Sequence, residues 1–238
     1  MAFNTDATKK YERWFLTPGG MYVDDKEKEL LLTSMRFKRG ETVLNIGSGT
    51  GRYIEYLTDL GLNVWGVEPV PELVKMAVRK SAIDPARVMI NSYESLVFGD
   101  SSFDHVILIT TLGFAADREE SLREAYRVAK KKVAIGFLNR HSLSSLLPVK
   151  QHRAVYTKTA HMTGSELKAL VFKALSGLAK TDVEIKYTLY LPVSVGYLVQ
   201  FVDDVLENFN LPFGAFGMMV IHKKNEEENA PPRAPEGK

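Results

Sequence analysis

Residues 41–70, ETVLNIGSGTGRYIEYLTDLGLNVWGVEPV, decide the fold of this 238-residue chain. A short apolar run from Thr42 to Ile46 predicts a buried strand, and the glycines that follow it predict a tight turn. Apolar side chains at 54, 57 and 60 then share one face of a predicted helix, and a second apolar run, 64–67, ends on Glu68. The stretch therefore predicts a βαβ unit.

The glycine-rich turn has the chemistry of an anion or nucleoside site. Gly47, Gly49 and Gly51 have no β-carbon, so the turn can take positive φ and its N–H groups can approach a ligand closely. The helix after the turn adds its positive end at the same place. Glu68, about 20 residues after the first glycine, lies where a carboxylate accepts hydrogen bonds from a ribose diol. The unit therefore predicts a nucleoside site.

The position after the last glycine separates two kinds of nucleoside site. A dinucleotide fingerprint has a third glycine there, to fit a pyrophosphate against the helix, but this chain has Arg52. An NAD(P)-dependent oxidoreductase is therefore disfavoured and stays open as an alternative. A second alternative is a non-catalytic protein that binds the nucleoside or assembles with a partner on the same fold.

The GxGxG pattern at 47–51, the strand 43–45 before it and Glu68-Pro69 after it resemble class I S-adenosylmethionine-dependent methyltransferases, over about residues 21–139. The resemblance implies an α/β fold, a Rossmann-like three-layer αβα sandwich. Its mostly parallel seven-stranded sheet has the order 3-2-1-4-5-7-6 with an antiparallel edge strand. It also implies S-adenosyl-L-methionine as cofactor, S-adenosyl-L-homocysteine as product, and methyl transfer to a small-molecule acceptor.

The resemblance also implies where the cofactor binds. It places the methionine end near Gly47–Gly51 and Thr110, the ribose at Glu68 and the adenine between Pro69-Val70 and Tyr93. Ser92 stands where the family has an acid for the adenine amino group, and Glu94 is the candidate substitute. The predicted cofactor-binding residues are Tyr11, Trp14, Tyr22, Asn45, Gly47, Ser48, Gly49, Gly51, Glu68, Pro69, Val70, Ser92, Tyr93, Glu94, Thr110, Thr111 and Leu112.

Residues 1–23 form an aromatic segment with two interpretations. Tyr11, Trp14 and Tyr22 either pack this segment onto the core or, as the resemblance implies, wall the cofactor pocket, where a cationic sulfonium attracts aromatic rings. Residues 18–20, Pro-Gly-Gly, predict a turn. A helix is then predicted over 24–37, where an acid at 24 and another at 27 have capping-box spacing.

The sequence predicts a single methyltransferase domain over 1–222. It consists of an aromatic cap, 1–23, a nucleoside-binding core, 24–140, and a C-terminal half with a helical insertion, 192–214; a disordered tail, 223–238, follows. Further predicted elements are helices over 71–81 and 117–129, a helix that opens at Thr163, and strands over 87–90, 104–109, 133–138, 183–191 and 216–221.

The insertion carries an apolar stripe at helical spacing. The stripe favours ordinary core packing, and the alternative is a lid or an apolar acceptor pocket, which suggests an apolar or aromatic acceptor. Its members are Leu198, Phe201, Val202, Val205 and Phe209.

Composition limits the partners. Net charge is only +2, so no nucleic acid is predicted, and the absence of cysteine excludes disulfides and a thiol nucleophile. Without an apolar run of membrane-spanning length or a signal sequence, we expect a cytoplasmic monomer or homodimer.

A sulfonium is an intrinsically reactive methyl donor, so positioning alone can suffice and a catalytic triad is not required. His141, after the strand 133–138, is the weak candidate for a general base. The remaining histidines have no ligand spacing, and no metal is predicted.

Overall fold

The computed structural model describes residues 5–142, 161–176, 182–191 and 197–223. The helices are α1 (Thr5–Trp14), α2 (Pro18–Met35), α3 (Arg52–Asp59), α4 (Pro71–Ala77), α5 (Arg118–Val128), α6 (Gly164–Ala174) and α7 (Tyr197–Glu207). The strands are β1 (Thr42–Ile46), β2 (Asn63–Val67), β3 (Val88–Met89), β4 (Phe103–Ile109), β5 (Ala129–Leu138), β6 (Asp182–Thr188) and β7 (Phe216–His222). The predicted tail and residues 192–196 of the insertion lie outside the described residues, except Lys223.

The strands form one seven-stranded sheet in the order β3-β2-β1-β4-β5-β7-β6, which confirms the predicted topology. β1, β2, β3, β4 and β5 pair in parallel, whereas β7 is antiparallel to both of its neighbours. β7 lies one place in from the edge, and β6 forms the edge itself. The carboxyl ends of all strands except β7 therefore meet at one edge of the sheet, called the catalytic edge below, where open α/β folds bind ligands.

Helices cover both faces of the sheet, which confirms the three-layer architecture. On one face, α2 and α3 pack Leu31, Met35 and Leu57 onto the strands. On the other, α5 and α6 pack Leu122 and Leu167. The central strands are apolar on both sides because both sides are buried, as parallel sheets require. Among the described residues, no helix is long and apolar enough to cross a membrane.

The helix predicted over 24–37 begins six residues earlier, so the predicted turn at 18–20 is wrong. The Thr17 side chain caps the helix by accepting a hydrogen bond from Gly20 N at 3.2 Å, and Pro18 occupies the first turn, which needs no N–H donor. Gly20 lies against α1, because a β-carbon there would be 2.0 Å from the Trp14 carbonyl oxygen. Asp24 and Glu27 therefore lie within α2 and cap nothing.

Other predicted boundaries shift by a few residues. β5 begins at Ala129 rather than 133, since it pairs there with Phe103 beside an irregularity in the β4 register. The predicted strand 183–191 ends at Thr188, because Leu189 takes φ 62°, which breaks the extended conformation. The predicted helix 71–81 ends at Ala77.

The insertion forms α7, and the described part of its apolar stripe faces solvent, so the core-packing interpretation is wrong there. Phe201 is 57% exposed and Phe209 67%, and Val202 and Val205 are also exposed. The opposite side of the helix carries Leu206, which packs against the core, and polar residues. Asp203, which is buried, accepts hydrogen bonds from Tyr190 N at 2.6 Å and Leu191 N at 3.1 Å. The helix is therefore anchored by hydrogen bonds to the chain after β6.

Salt bridges join the same side of α7 to α2. The Lys26 ammonium lies 2.7 Å from Asp204 Oδ1 and 3.2 Å from Glu207 Oε1. These ion pairs raise the pKa of Lys26 although its burial lowers it.

A charged cluster closes the edge opposite the catalytic one. His105 Nε2 lies 3.0 Å from Glu41 Oε2, and the Lys131 ammonium contacts both Glu41 and Asp104, at 2.8 and 3.0 Å. Burial lowers the pKa of His105, although Glu41 opposes the shift. Burial raises the pKa of Glu41, but hydrogen bonds from Lys131, the Lys38 N–H and His105 outweigh it and lower this pKa to about 2.

This cluster predicts that the free energy of unfolding falls in acid. The folded protein binds the His105 proton more weakly than the unfolded chain, so stability is lost below the ordinary value of 6.5. The depressed pKa of Glu41 adds a further loss below its ordinary value of 4.5. Urea unfolding at pH values from 8 to 4 measures both losses of stability. His105→Gln is expected to flatten the decline between about pH 7 and 5, and a wild-type protein with constant stability across that range would contradict the prediction.

Candidate active site

The glycine-rich turn lies between β1 and α3 at the catalytic edge. Gly47, Gly49 and Gly51 have φ of 72°, 55° and 81°, the left-handed region that favours glycine. A β-carbon at Gly47 would be 2.5 Å from the Thr111 side chain, whereas one at Gly49 would meet nothing within 4 Å. The turn is therefore packed against β4 on one side and borders open space at Gly49.

Glu68 joins this turn to the end of β2. Its Oε2 accepts from Gly49 N at 3.0 Å and its Oε1 from Val70 N at 3.2 Å. The side chain is buried, and burial raises its pKa although the two N–H donors oppose the shift. A carboxylate at this point fixes the turn and keeps further lone pairs for hydroxyl donors of a ligand.

Two polar atoms beside the turn have no partner among the described residues. They are Asn45 Oδ1, at the end of β1, and Ser48 Oγ, in the turn, and both are buried. A buried acceptor without a donor costs free energy, so such atoms call for a ligand or water. A ligand that brings an ammonium group or hydroxyls, as S-adenosylmethionine does, fits both atoms.

The end of β4 supplies the third side of the site. Thr110 has φ 57°, which a threonine adopts at a cost, and its N–H donates to Gly136 O at 2.8 Å. Thr111 Oγ1 donates to Ile46 O at 2.7 Å, which ties this loop to β1. Leu112 is buried. The structure therefore places Thr111 beside the glycine-rich turn.

The candidate adenine residues follow β3. Tyr93 is buried, and burial raises the pKa of its hydroxyl, with the charges of Glu68 and Glu94 acting in the same direction. The Ser92 hydroxyl donates to Glu94 Oε2, and Glu94 Oε1 accepts from the N–H groups of Ala116 and Asp117, at 2.9 and 3.3 Å. The Glu94 carboxylate thus stabilises the loop before α5, a role that the sequence did not suggest.

The aromatic segment contacts the site through a residue that the sequence prediction missed. Glu12 Oε1 accepts from Thr50 Oγ1 at 2.6 Å and so holds α1 against the glycine-rich turn. The Tyr11 and Trp14 rings pack edge-on against Phe15, at 4.8 and 4.7 Å between centroids. The Tyr22 hydroxyl instead donates to Asp203 Oδ2 of α7 at 2.9 Å.

Arg52, in the place of a third glycine, belongs to a buried ionic cluster. Its Nη1 donates to Asp24 Oδ1, its Nη2 lies 3.4 Å from Glu27 Oε2, and its guanidinium stacks on Phe15 at 3.7 Å. The Tyr53 hydroxyl donates to Glu27 Oε2 at 3.1 Å. Arg52 therefore joins α1, α2 and α3 beneath the turn. The acids at 24 and 27 were the one sequence signal of this role, and they were interpreted there as a capping box instead.

His141 follows β5 at the catalytic edge. Its side chain is exposed, and its backbone N–H donates to Asn139 Oδ1 at 3.1 Å. Asn139 Nδ2 donates to the carbonyls of Pro212 and Gly214, so β5 anchors the loop that follows α7. Within the described ranges, no group of three or more His, Asp or Glu residues could hold a metal ion.

Comparison with known proteins agrees with this geometry. Residues 44–136 match the family model described as a methyltransferase domain. An uncharacterized protein of Methanocaldococcus jannaschii is 29% identical over 197 residues, 79% of this chain and 90% of that protein. The crystal structure of an S-adenosylmethionine-dependent methyltransferase of Thermotoga maritima, described as a possible histamine N-methyltransferase, is 28% identical. It superposes with a TM-score of 0.63 over 91% of this chain and 96% of that one.

A further neighbour, the plantazolicin methyltransferase BpumL in complex with S-adenosylhomocysteine, has a TM-score of 0.64 over 92% of this chain and 90% of that one. It is only 17% identical and shows the fold alone.

Residues 44–136 are thus a methyltransferase domain, and the fold and neighbours are those of class I S-adenosylmethionine-dependent methyltransferases. The comparisons support S-adenosyl-L-methionine as the cofactor and give no support to an oxidoreductase or a non-catalytic protein.

Proposed function

We propose that the protein transfers a methyl group from S-adenosyl-L-methionine to a small-molecule acceptor by in-line displacement, and that residues 1–222 act as one domain. The observation that carries the proposal is the meeting of Glu68 with the glycine-rich turn. A buried carboxylate at the end of β2 holds Gly49 N–H, beside open space and two unpartnered acceptors.

In this proposal, Glu68 accepts hydrogen bonds from the ribose hydroxyls, and Pro69-Val70 and Tyr93 border the adenine. Asn45 Oδ1 and Ser48 Oγ accept from the ammonium of the methionine end, near Thr110. These roles are assigned because both acceptors are buried without a partner among the described residues and lie beside the turn that Glu68 holds. Ser92 offers its hydroxyl oxygen to the adenine amino group. Glu94 acts indirectly, because it accepts from Ser92 and fixes the loop before α5.

The bound cofactor supplies an electrophilic methyl group on a sulfonium. The protein then has to orient the acceptor and exclude water, which favours closure of the site by α1 through Glu12 and the rings of Tyr11 and Trp14. Tyr22 supports this closure through its hydrogen bond to α7. His141 serves as a base only for an acceptor that must lose a proton, such as a hydroxyl.

Calorimetric titration separates this function from its strongest alternative. We expect S-adenosylhomocysteine to bind and NADH not to bind. Arg52, held by Asp24 and Glu27, stands where the dinucleotide fingerprint has its third glycine. Measurable affinity for NADH without affinity for S-adenosylhomocysteine would contradict the proposal. Label transfer from methyl-labelled cofactor to fractionated cell extract then tests catalysis.

A further inference from the structure

We propose that the methyl acceptor carries an anionic group, separate from the atom that is methylated, and that Arg118 binds this anion. The inference rests on the proposed function and names the substrate class of the same site. It depends on a cavity, on the contacts of Arg118 and on the partners of the neighbouring acids.

A small, partly open cavity lies at the carboxyl ends of β4 and β5. Its lining is largely apolar and includes Thr110, a predicted cofactor residue. The other side chains that define it are Leu112, Ile135, Phe137, Leu138 and Met162. Met162 adapts its shape readily, because its side chain is unbranched and polarizable. In this structure the cavity holds about one water molecule, so it marks an apolar wall against which part of a small acceptor can lie, beside the methionine end of the cofactor.

Arg118 lies against this cavity with most of its donors unused. Its Nε donates to the carbonyl of Leu112 at 3.1 Å, and its Nη1 lies 3.9 Å from Met162 Sδ, a weak acceptor. Both of these partners line the cavity. Nη2 donates to no described residue, and no carboxylate of the described chain lies within 4 Å of the guanidinium. Arg118 is thus held beside the cavity by one strong hydrogen bond and keeps its bidentate face for a ligand.

The acids around Arg118 are engaged elsewhere. Glu94 accepts from two loop N–H groups, and Asp117 accepts from the N–H groups of Glu119 and Glu120. The side chains of these two glutamates contact Arg123, and Glu119 also contacts Lys173. Among the described residues, the positive charge of Arg118 therefore has no carboxylate paired with it.

The position of Arg118 in its helix also argues for a role other than stability. It is the first residue of α5, where the helix dipole favours anions and disfavours a cation. Glu119 and Glu120 follow the favourable pattern, and Arg118 departs from it. A half-buried cation placed against the dipole and beside an apolar cavity is what recognition of an anion requires.

Label transfer to ion-exchange pools tests the inference. A small-molecule cell extract is separated into anionic, neutral and cationic pools, and each is incubated with the protein and methyl-labelled S-adenosylmethionine. We expect the label in the anionic pool. Arg118→Gln is expected to lower this transfer at least about tenfold, because charge-assisted hydrogen bonds are lost, and Arg118→Lys to lower it less. Arg123→Gln, on the same helix, is the matched control and should keep the wild-type rate.

S-adenosylhomocysteine affinity distinguishes failure of this inference from failure of the function. It should be unchanged in Arg118→Gln, because Arg118 contacts the acceptor side. Label in the neutral or cationic pool alone, or a wild-type rate in Arg118→Gln, would overturn the anionic acceptor and leave the methyltransferase intact. Absence of S-adenosylhomocysteine binding in the wild-type protein would overturn both.

Discussion

Replacing Glu68 with alanine is expected to weaken S-adenosylhomocysteine binding about 100-fold. In the proposed complex, this substitution removes two charge-assisted hydrogen bonds to the ribose, each worth about 1.5–3 kcal/mol, and 1.4 kcal/mol corresponds to a factor of ten. The glycine-rich turn also loses the acceptor that holds Gly49 N–H. Isothermal titration of both proteins at one pH measures the change.

Two further variants sharpen this test. Glu68→Gln keeps one carbonyl acceptor in the same place, so its affinity should fall between wild type and alanine. Glu72→Ala, four residues along at an exposed position of α4, should bind normally because its side chain lies outside the site. An affinity of Glu68→Ala within about threefold of wild type would show that this carboxylate does not hold the ribose, because even one such hydrogen bond is worth more.

Arg52→Ala is expected to lower the free energy of unfolding by about 3–5 kcal/mol, the cost of removing one partner from a buried ion pair. Glu27, which is 2% exposed, would lose the guanidinium, and Phe15 would lose its stacking partner. Asp24 is less affected because the Lys28 ammonium lies 2.7 Å from its Oδ2 and remains in place as a partner. Denaturant unfolding monitored by circular dichroism gives the value.

A compensating substitution tests the electrostatic cause. Adding Glu27→Gln to Arg52→Ala removes the uncompensated carboxylate and should recover part of the lost stability. Arg79→Ala, an exposed arginine of the same chain, should change stability by less than about 0.5 kcal/mol. Equal losses in the single and double variants would mean that packing, rather than charge, explains the effect of Arg52.

The fold was predictable from the sequence because its main signals are local. The apolar runs of β1, β2 and β4 and the glycines between β1 and α3 each specify an element without reference to the rest of the chain. The strand order came from the family resemblance and is confirmed. Several boundaries were missed where one residue overrode the pattern, as Thr17 does by capping α2 and Leu189 by its positive φ.

The contacts around the site were less predictable because they join distant parts of the chain. Nothing in the local sequence connects Glu12 with Thr50, or Glu94 with the N–H groups before α5. The prediction that the apolar stripe on α7 packs into the core was wrong for a related reason. Helical spacing shows that apolar side chains share a face, but the partners of that face are decided elsewhere. Here Asp203 accepts a hydrogen bond from Tyr190 N and Glu207 pairs with Lys26, so these two acids face the protein and the apolar stripe faces solvent.

The way α7 is anchored has a consequence for divergence among relatives. Because hydrogen bonds and salt bridges on its inner side hold the helix, selection can replace Phe201 or Phe209 without opening a void in the interior. The outer surface of this insertion can therefore diverge among relatives while the scaffold beneath stays constant.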